Sequence, residues 1–304
     1  FCAKGGLFQQ QGDVWKRWTA DDGLASLGVV GIVEDNEGNI YFDTSEGVSK
    51  YDGVSFSTLP LAQENSGGGN WVLEEGDLWF RMGWDHSGPF RYDGVELHYL
   101  EFPKTAQEEA FRELYPNVGY SPYGVYTIYR AEDGAVWFGT SSLGLCRFDG
   151  ETVDWMYEDY LTNTPGGGAF GIRSILESED GTFWICTPEY AYEIADEGVG
   201  GELRYQKLPG LDGVVMNETG EIPYLMSMVK DNQGGTWMAS YTEGVWHING
   251  ETCHRYEVNT GEEAAEVFSI TCDLEGTIWL GTHNGGAYRL VNGRFEPFTP
   301  AIAL

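Results

Sequence analysis

The sequence predicts an all-β fold, a β-propeller, and three features predict it. One pattern of residues recurs along the chain: an apolar stretch, an acidic turn with glycine, then a stretch centred on Trp or Tyr. Asp-Gly and Asn-Gly pairs follow most of the recurrences at similar offsets. Glycine (43 of 304 residues) and aromatic side chains (14%) are both abundant. Short strands, tight turns and large rings, repeating roughly every 40 to 58 residues, are the pattern of propeller blades. Each small sheet has two apolar faces and buries them only by stacking on its neighbours.

Six segments fall into register: 30–56, 71–97, 126–153, 173–194, 226–253 and 268–295. Their recurring rings are Tyr41, Trp79, Trp137, Trp184, Trp237 and Trp279. Blades are expected over 1–28 (partial), 29–56, 70–97, 125–153, 172–204, 225–256 and 267–296, within a single domain of residues 1–304. The opening "FCAKGGLFQQQGDVWKRWT" reads as the later strands of a blade, and the last residues start a new inner strand. Joined, the two ends give seven blades closed by strands from both termini, which removes open edges. Six blades with an N-terminal extension is the alternative.

The turns come next. Asp52-Gly53, Asp93-Gly94, Asp149-Gly150, Asn249-Gly250 and Asn292-Gly293 read as type I′ hairpin turns, whose two central residues need positive φ. Acidic turns such as "EDNEGN" and "DLEGT" reverse the chain between first and second strands. They lack the ligand spacing and closing Glu of a calcium loop, so no cofactor is expected, with calcium the one ion left open.

Charge excludes one class of partner. Lys and Arg total 17 against 48 Asp and Glu, a net charge of −31. Such a surface repels nucleic acid, which needs basic side chains to displace counterions. No apolar run reaches the length of a membrane span. The five cysteines form no CxxC pair and fit neither a zinc site nor a disulfide framework. Cys2 has two readings, a strand residue aligned with Cys186 or a lipid-carrying anchor.

In a blade, the loop after the second strand and the connection to the next blade share one face. That face carries the insertions 57–70, 98–124, 154–171 and 205–224, and binding usually resides in such loops. Residues 105–115 read as a short helix with Thr105 as its N-cap. Blade two departs from its siblings with "RMGWDHSGP", in which Arg81, Trp84, Asp85 and His86 offer a cation, an aromatic platform, a carboxylate and an imidazole. That mixture suits a sugar or a polar peptide. Tyr123, Tyr126, Glu189, Tyr190, Tyr241, Glu243, His283 and Asn284 are expected on the same face. No HExxH, GxSxG or P-loop is present, so no catalytic residue is assigned.

The stretch "DDGLASLGVVGIVEDNEGNIYFDTSEGVSKYDGVSF" (21–56) resembles the two-component regulator propeller repeat almost throughout, and "DLEGTIWLGTHNGGAYRL" (273–290) resembles it well. The resemblance implies an extracytoplasmic sensor region, at the periplasm or cell surface, in many cases responsive to carbohydrate. No membrane span, dimerisation helix or kinase segment follows here, so signalling by this polypeptide itself is not expected. The chain is more distantly similar to virginiamycin B lyases, although no stretch matches their active site. The expected function is binding of an oligosaccharide or a protein partner through the loop-rich face. One alternative is a lyase or hydrolase acting on a saccharide or peptide through funnel carboxylates and His283. Another is a structural subunit docked into a larger assembly.

Overall fold

A computed structural model describes residues 1–3, 6–12, 14–63, 71–162, 170–195, 198–211 and 223–299. The chain packs as two compact units, residues 1–154 and 155–300. In the first, β1 (Cys2–Ala3), β2 (Gly6–Gln11) and β3 (Val14–Trp18) make a small N-terminal sheet. The first repeat is the sheet β4 (Val29–Glu34), β5 (Ile40–Thr44), β6 (Gly47–Tyr51) and β7 (Phe56–Thr58). The second is β8 (Leu78–Phe80), β9 (Phe90–Tyr92) and β10 (Leu97–Tyr99), followed by helix α1 (Ala106–Leu114). The third is β11 (Val125–Arg130), β12 (Val136–Thr140), β13 (Leu145–Phe148) and β14 (Val153–Met156).

The second unit opens with α2 (Asp159–Thr162) and the sheet β15 (Ile175–Glu177), β16 (Phe183–Ile185), β17 (Thr187–Ile194) and β18 (Tyr205–Pro209). The sheet β19 (Leu225–Lys230), β20 (Thr236–Ser240), β21 (Val245–Asn249) and β22 (Thr252–Tyr256) follows. A two-stranded ribbon, β23 (Asn259–Thr260) and β24 (Glu263–Ala264), leads to the last sheet: β25 (Val267–Cys272), β26 (Ile278–Thr282), β27 (Ala287–Val291) and β28 (Arg294–Phe298).

Each of the six repeats makes one sheet, so the expected seven blades give way to six with an N-terminal extension. The extension opens with a strand of only two residues, in which Cys2 lies opposite Leu7. No C-terminal strand joins it among the described residues, and 300–304, expected to begin the closing strand, lie outside them. The second repeat also departs from expectation, because residues 71–75 form no inner strand. Trp71 instead donates its amide to the Gly150 carbonyl (2.7 Å), and its ring sits 6.0 Å from Trp79 and 5.9 Å from Phe148.

Apolar cores fill the space between adjacent sheets, as stacking requires. Leu7, Trp18, Leu24, Phe42 and Tyr51 join the N-terminal sheet to the first repeat, and Tyr41, Val48, Phe80, Met82 and Tyr92 join the first repeat to the second. In the other unit Trp237, Ala239, Val245, Val267, Ile270, Leu280 and Tyr288 join the last two sheets.

The acidic turns serve a structural purpose. Asp231 accepts the Trp237 indole N–H (2.8 Å) and the amides of Gln233 and Gly235 (2.8 Å each). Asp273 holds Trp279 (2.8 Å) and Asp35 the Tyr41 hydroxyl (2.9 Å) in the same way. Burial alone would raise the Asp231 and Asp273 carboxyls, but the indole and turn amides hold both below the usual carboxylate range. In these three repeats an Asp is paired with a ring six residues on because one carboxylate staples the turn to the second strand; in the fourth repeat the Ser178 hydroxyl accepts from Trp184 (2.9 Å) in the same place.

The Asp-Gly turns differ from the type I′ expectation. Of the five expected turns only Asn292-Gly293 has positive φ at both positions (48° and 77°). At Asp52 the carboxylate accepts the amides of Val54 (2.9 Å) and Ser55 (2.8 Å), and Gly53 alone takes positive φ. Asp93 repeats the arrangement with Val95 and Glu96. A carboxylate oxygen three bonds from Cα closes the turn without strain at the Asp.

Candidate functional site

The inner strands of four repeats share a local defect. Register shifts interrupt β4 between Val29 and Gly31, β11 between Val125 and Thr127, β19 between Leu225 and Ser227, and β25 between Val267 and Ser269. The extra residues are Val30, Tyr126, Met226 and Phe268. A bulge re-aims its side chain and bends the strand end. Each bulge lies beside the end of the second strand, on the face that carries the insertions, of which 64–70, 163–169 and 212–222 lie outside the described residues.

In the first unit the Tyr126 bulge meets the irregular loop of the second repeat. The Arg81 guanidinium donates to the Tyr126 carbonyl (2.8 Å) and lies 5.2 Å from the Trp84 ring. Trp84 stands edge-on to Tyr126 at 5.1 Å and is 40% exposed. Asp43 anchors the group: its buried carboxylate accepts the amides of Arg81 (2.8 Å) and Met82 (2.9 Å) and pairs with the Arg81 Nε at 3.7 Å. Burial pushes the Asp43 carboxyl up, against the pull of those amides and of Arg81. Gly124 allows the close approach, since a Cβ there would stand 2.6 Å from the Trp84 carbonyl oxygen.

The other predicted residues of this unit divide. Asp85 is exposed beside Trp84. The His86 ring packs edge-on against Phe90 (4.9 Å), and burial lowers its pKa while Asp85 opposes that shift. Tyr123 is buried: its hydroxyl accepts the Thr105 amide (2.8 Å) and donates to Glu108 (3.2 Å). It thus ties the start of α1, where Thr105 occupies the N-cap position without a side-chain cap of its own.

In the second unit the Phe268 bulge organises another aromatic corner. Phe268 is 41% exposed and meets Tyr241 edge-on at 5.6 Å, His283 at 5.9 Å and the Arg173 guanidinium at 5.9 Å. Phe170 continues the row between Tyr241 (5.7 Å) and Tyr224 (5.0 Å, stacked). Glu266 accepts hydrogen bonds from Tyr241 and from His283, whose Nδ1 lies 2.8 Å away, and these bonds lower the Glu266 pKa. Asn284 accepts the Glu266 amide (2.9 Å) and so fixes the loop that carries the carboxylate. Glu243 is half-buried, and its carbonyl accepts the Arg255 Nε (2.7 Å).

Glu189 and Tyr190 lie elsewhere in the same unit. Tyr190 meets Tyr160 edge-on (5.9 Å), and the Lys207 ammonium stands over both rings while pairing with Glu158 at 2.8 Å. Sequence reasoning missed Glu266, Phe268, Arg173 and Lys207. Phe268 was findable, because it occupies the same place in its repeat as Tyr126. Among the described residues no group of three or more His, Cys, Asp or Glu side chains is placed to hold a metal ion.

One stretch of the chain resembles a known repeat. Residues 119–142 match the two-component regulator propeller. A histidine kinase P4 from Formosa agariphila is 21% identical over 273 residues, covering 86% of this chain and 19% of that protein, so the chain spans about a fifth of the relative's length. Among solved structures, a catalytically inactive virginiamycin B lyase from Staphylococcus aureus with quinupristin is similar at 16% identity and TM-score 0.58, covering 91% of this chain and 85% of that one. A streptogramin B lyase is similar at 16% identity and TM-score 0.55, over 88% and 82%. The likeness establishes the fold, an all-β propeller. The extracellular domain of a hybrid two-component system from B. thetaiotaomicron is similar at 16% identity and TM-score 0.47, over 86% of this chain and 38% of that one. No helix among the described residues is long and apolar enough to cross a membrane.

Proposed function

We propose that this chain is an extracytoplasmic binding domain that takes an oligosaccharide at the bulge-borne aromatic corners of its loop-rich face. The observation that carries the reading is the pairing of an exposed ring with a neighbouring cation and a hydrogen-bonded carboxylate. It is found at Trp84 with Arg81 and Asp43, and again at Phe268 with Arg173 and Glu266. A flat ring offers stacking area to a pyranose, and polar groups held in place give orientation at low entropic cost. The extracytoplasmic setting is what the resemblance to the two-component regulator propeller repeat implies. A thermal-shift series with neutral and acidic oligosaccharides tests the reading. Ligand at 100 times its Kd should stabilise by about 2.7 kcal/mol. The shift should shrink in Trp84→Ala or Phe268→Ala; an identical shift in both variants places binding elsewhere.

A second reading, acid–base chemistry, is favoured by one feature alone. Glu266 holds the Nδ1 of His283, whose side chain is 65% exposed, and a carboxylate-oriented imidazole is how many general bases are built. Turnover of any oligosaccharide that is lost in His283→Gln, with binding retained, would move the assignment to an enzyme.

A further inference from the structure

Helix α1 stands apart from the rest of the first unit. None of its nine residues is buried, although one side of it is apolar. Phe111, Leu114 and Tyr115 fall at helical spacing on that side, with Ala110 beside them. Leu114 is 74% exposed and Tyr115 53%. The Phe111 ring packs on Tyr115 (5.2 Å) and faces Tyr120 at 6.4 Å, which is itself 41% exposed, so the rings form one continuous patch. Amphipathic surface helices ordinarily turn such a stripe to the core. This one is instead moored at its start, where Tyr123 binds the Thr105 amide and Glu108. The mooring leaves the stripe outward.

We propose that the apolar side of α1 is a docking surface for a basic amphipathic segment of a partner protein. Charge selects the occupant. Glu108 is taken by Arg112 (3.2 Å) and Tyr123, while Glu109 and Glu113 are exposed and one turn apart on the rest of the helix surface. A second copy would bring the same acids against one another, on a chain of net charge −31. A segment with apolar residues at helical spacing and Lys or Arg along its margins would cover the rings and meet the acids at once.

The test uses the whole chain and two fluorescein-labelled 14-residue helical peptides, one of Leu and Lys and one of Leu and Glu at the same spacing. Fluorescence anisotropy should show saturable binding of the Leu–Lys peptide and none of the Leu–Glu peptide. Leu114→Ser with Tyr115→Ser removes exposed side chains and should weaken binding at least tenfold with the melting temperature unchanged. Glu109→Lys with Glu113→Lys should weaken it comparably. Equal affinity across all variants would mean attraction to the chain's overall charge and would overturn the proposal. So would a dimer in sedimentation that Leu114→Ser with Tyr115→Ser dissolves, since the occupant would then be a second copy. None of these outcomes depends on oligosaccharide binding.

Discussion

Replacing Asp231 with alanine tests the carboxylate staple of the turns at Asp35, Asp231 and Asp273. Trp237 is 3% exposed, so its indole N–H would lose its acceptor in a place that water does not reach. An unsatisfied buried donor costs about 1–3 kcal/mol. The Gln233 amide also loses its acceptor, in an exposed turn where water replaces it, and the amide of the buried Gly235 loses its acceptor too. His247 loses a partner at 3.1 Å while keeping its stack on Trp237 (4.1 Å between ring centres). Together these changes should lower stability by about 2–4 kcal/mol. Urea unfolding followed by far-ultraviolet circular dichroism measures the loss, and a double-mutant cycle with Trp237→Phe isolates the indole bond. A coupling of about 1 kcal/mol or more is expected. A coupling near zero, or a loss below about 0.5 kcal/mol for Asp231→Ala, would refute the staple.

Three further outcomes follow from the same contacts. Asp35, Asp231 and Asp273 all have pKa values lowered in the folded chain, so their stabilisation is complete above the unfolded carboxylate pKa of about 3.9 and is lost as pH falls through the lower folded values. Acid unfolding below about pH 4 should therefore be shallower in Asp231→Ala with Asp273→Ala than in the parent, a result that a pH series of melting curves checks. Arg81→Met leaves the buried Asp43 without its cation, though its two amide donors remain, and should cost about 2 kcal/mol by urea unfolding. Gly124→Ala forces the Trp84 backbone aside and should shift the Trp84 contribution to the fluorescence spectrum, measured by difference against Trp84→Ala.

Much of the fold was legible because its signals are local. The ring at Trp237 or Trp279, the acid six residues earlier and the Gly between them are set by one hydrogen bond and one turn, and both lie within a single repeat. The seven-blade count failed because it rested on pairing between chain ends, which local pattern does not encode. The missing inner strand at 71–75 failed for a related reason. "WVLEE" carries apolar residues like its counterparts, and Trp71 is held outside the sheet by the distant Gly150 carbonyl and the Phe148 ring together with Trp79 and Arg91. At the candidate site, Arg81 and Trp84 stood out in the sequence because their loop breaks the repeat, and the β11 bulge brings Tyr126 to them. Tyr123 was misread as a rim side chain because its partners, Thr105 and Glu108, come from an insertion with no counterpart in the other repeats. Glu266 and Phe268 escaped notice because each is an ordinary residue in sequence. The bulge after Val267 and the bonds from Tyr241 and His283 give them their place.

Hydrogen exchange with and without the best-binding oligosaccharide from the thermal-shift series tests the central claim most directly. Exchange should slow at 81–86 and 125–127, at 266–269 and 282–284, or at both corners, where bulge and loop backbones frame the exposed rings. Protection confined to the opposite turns at 52–55, 93–96 and 149–152, or none anywhere despite saturating ligand, would contradict that claim.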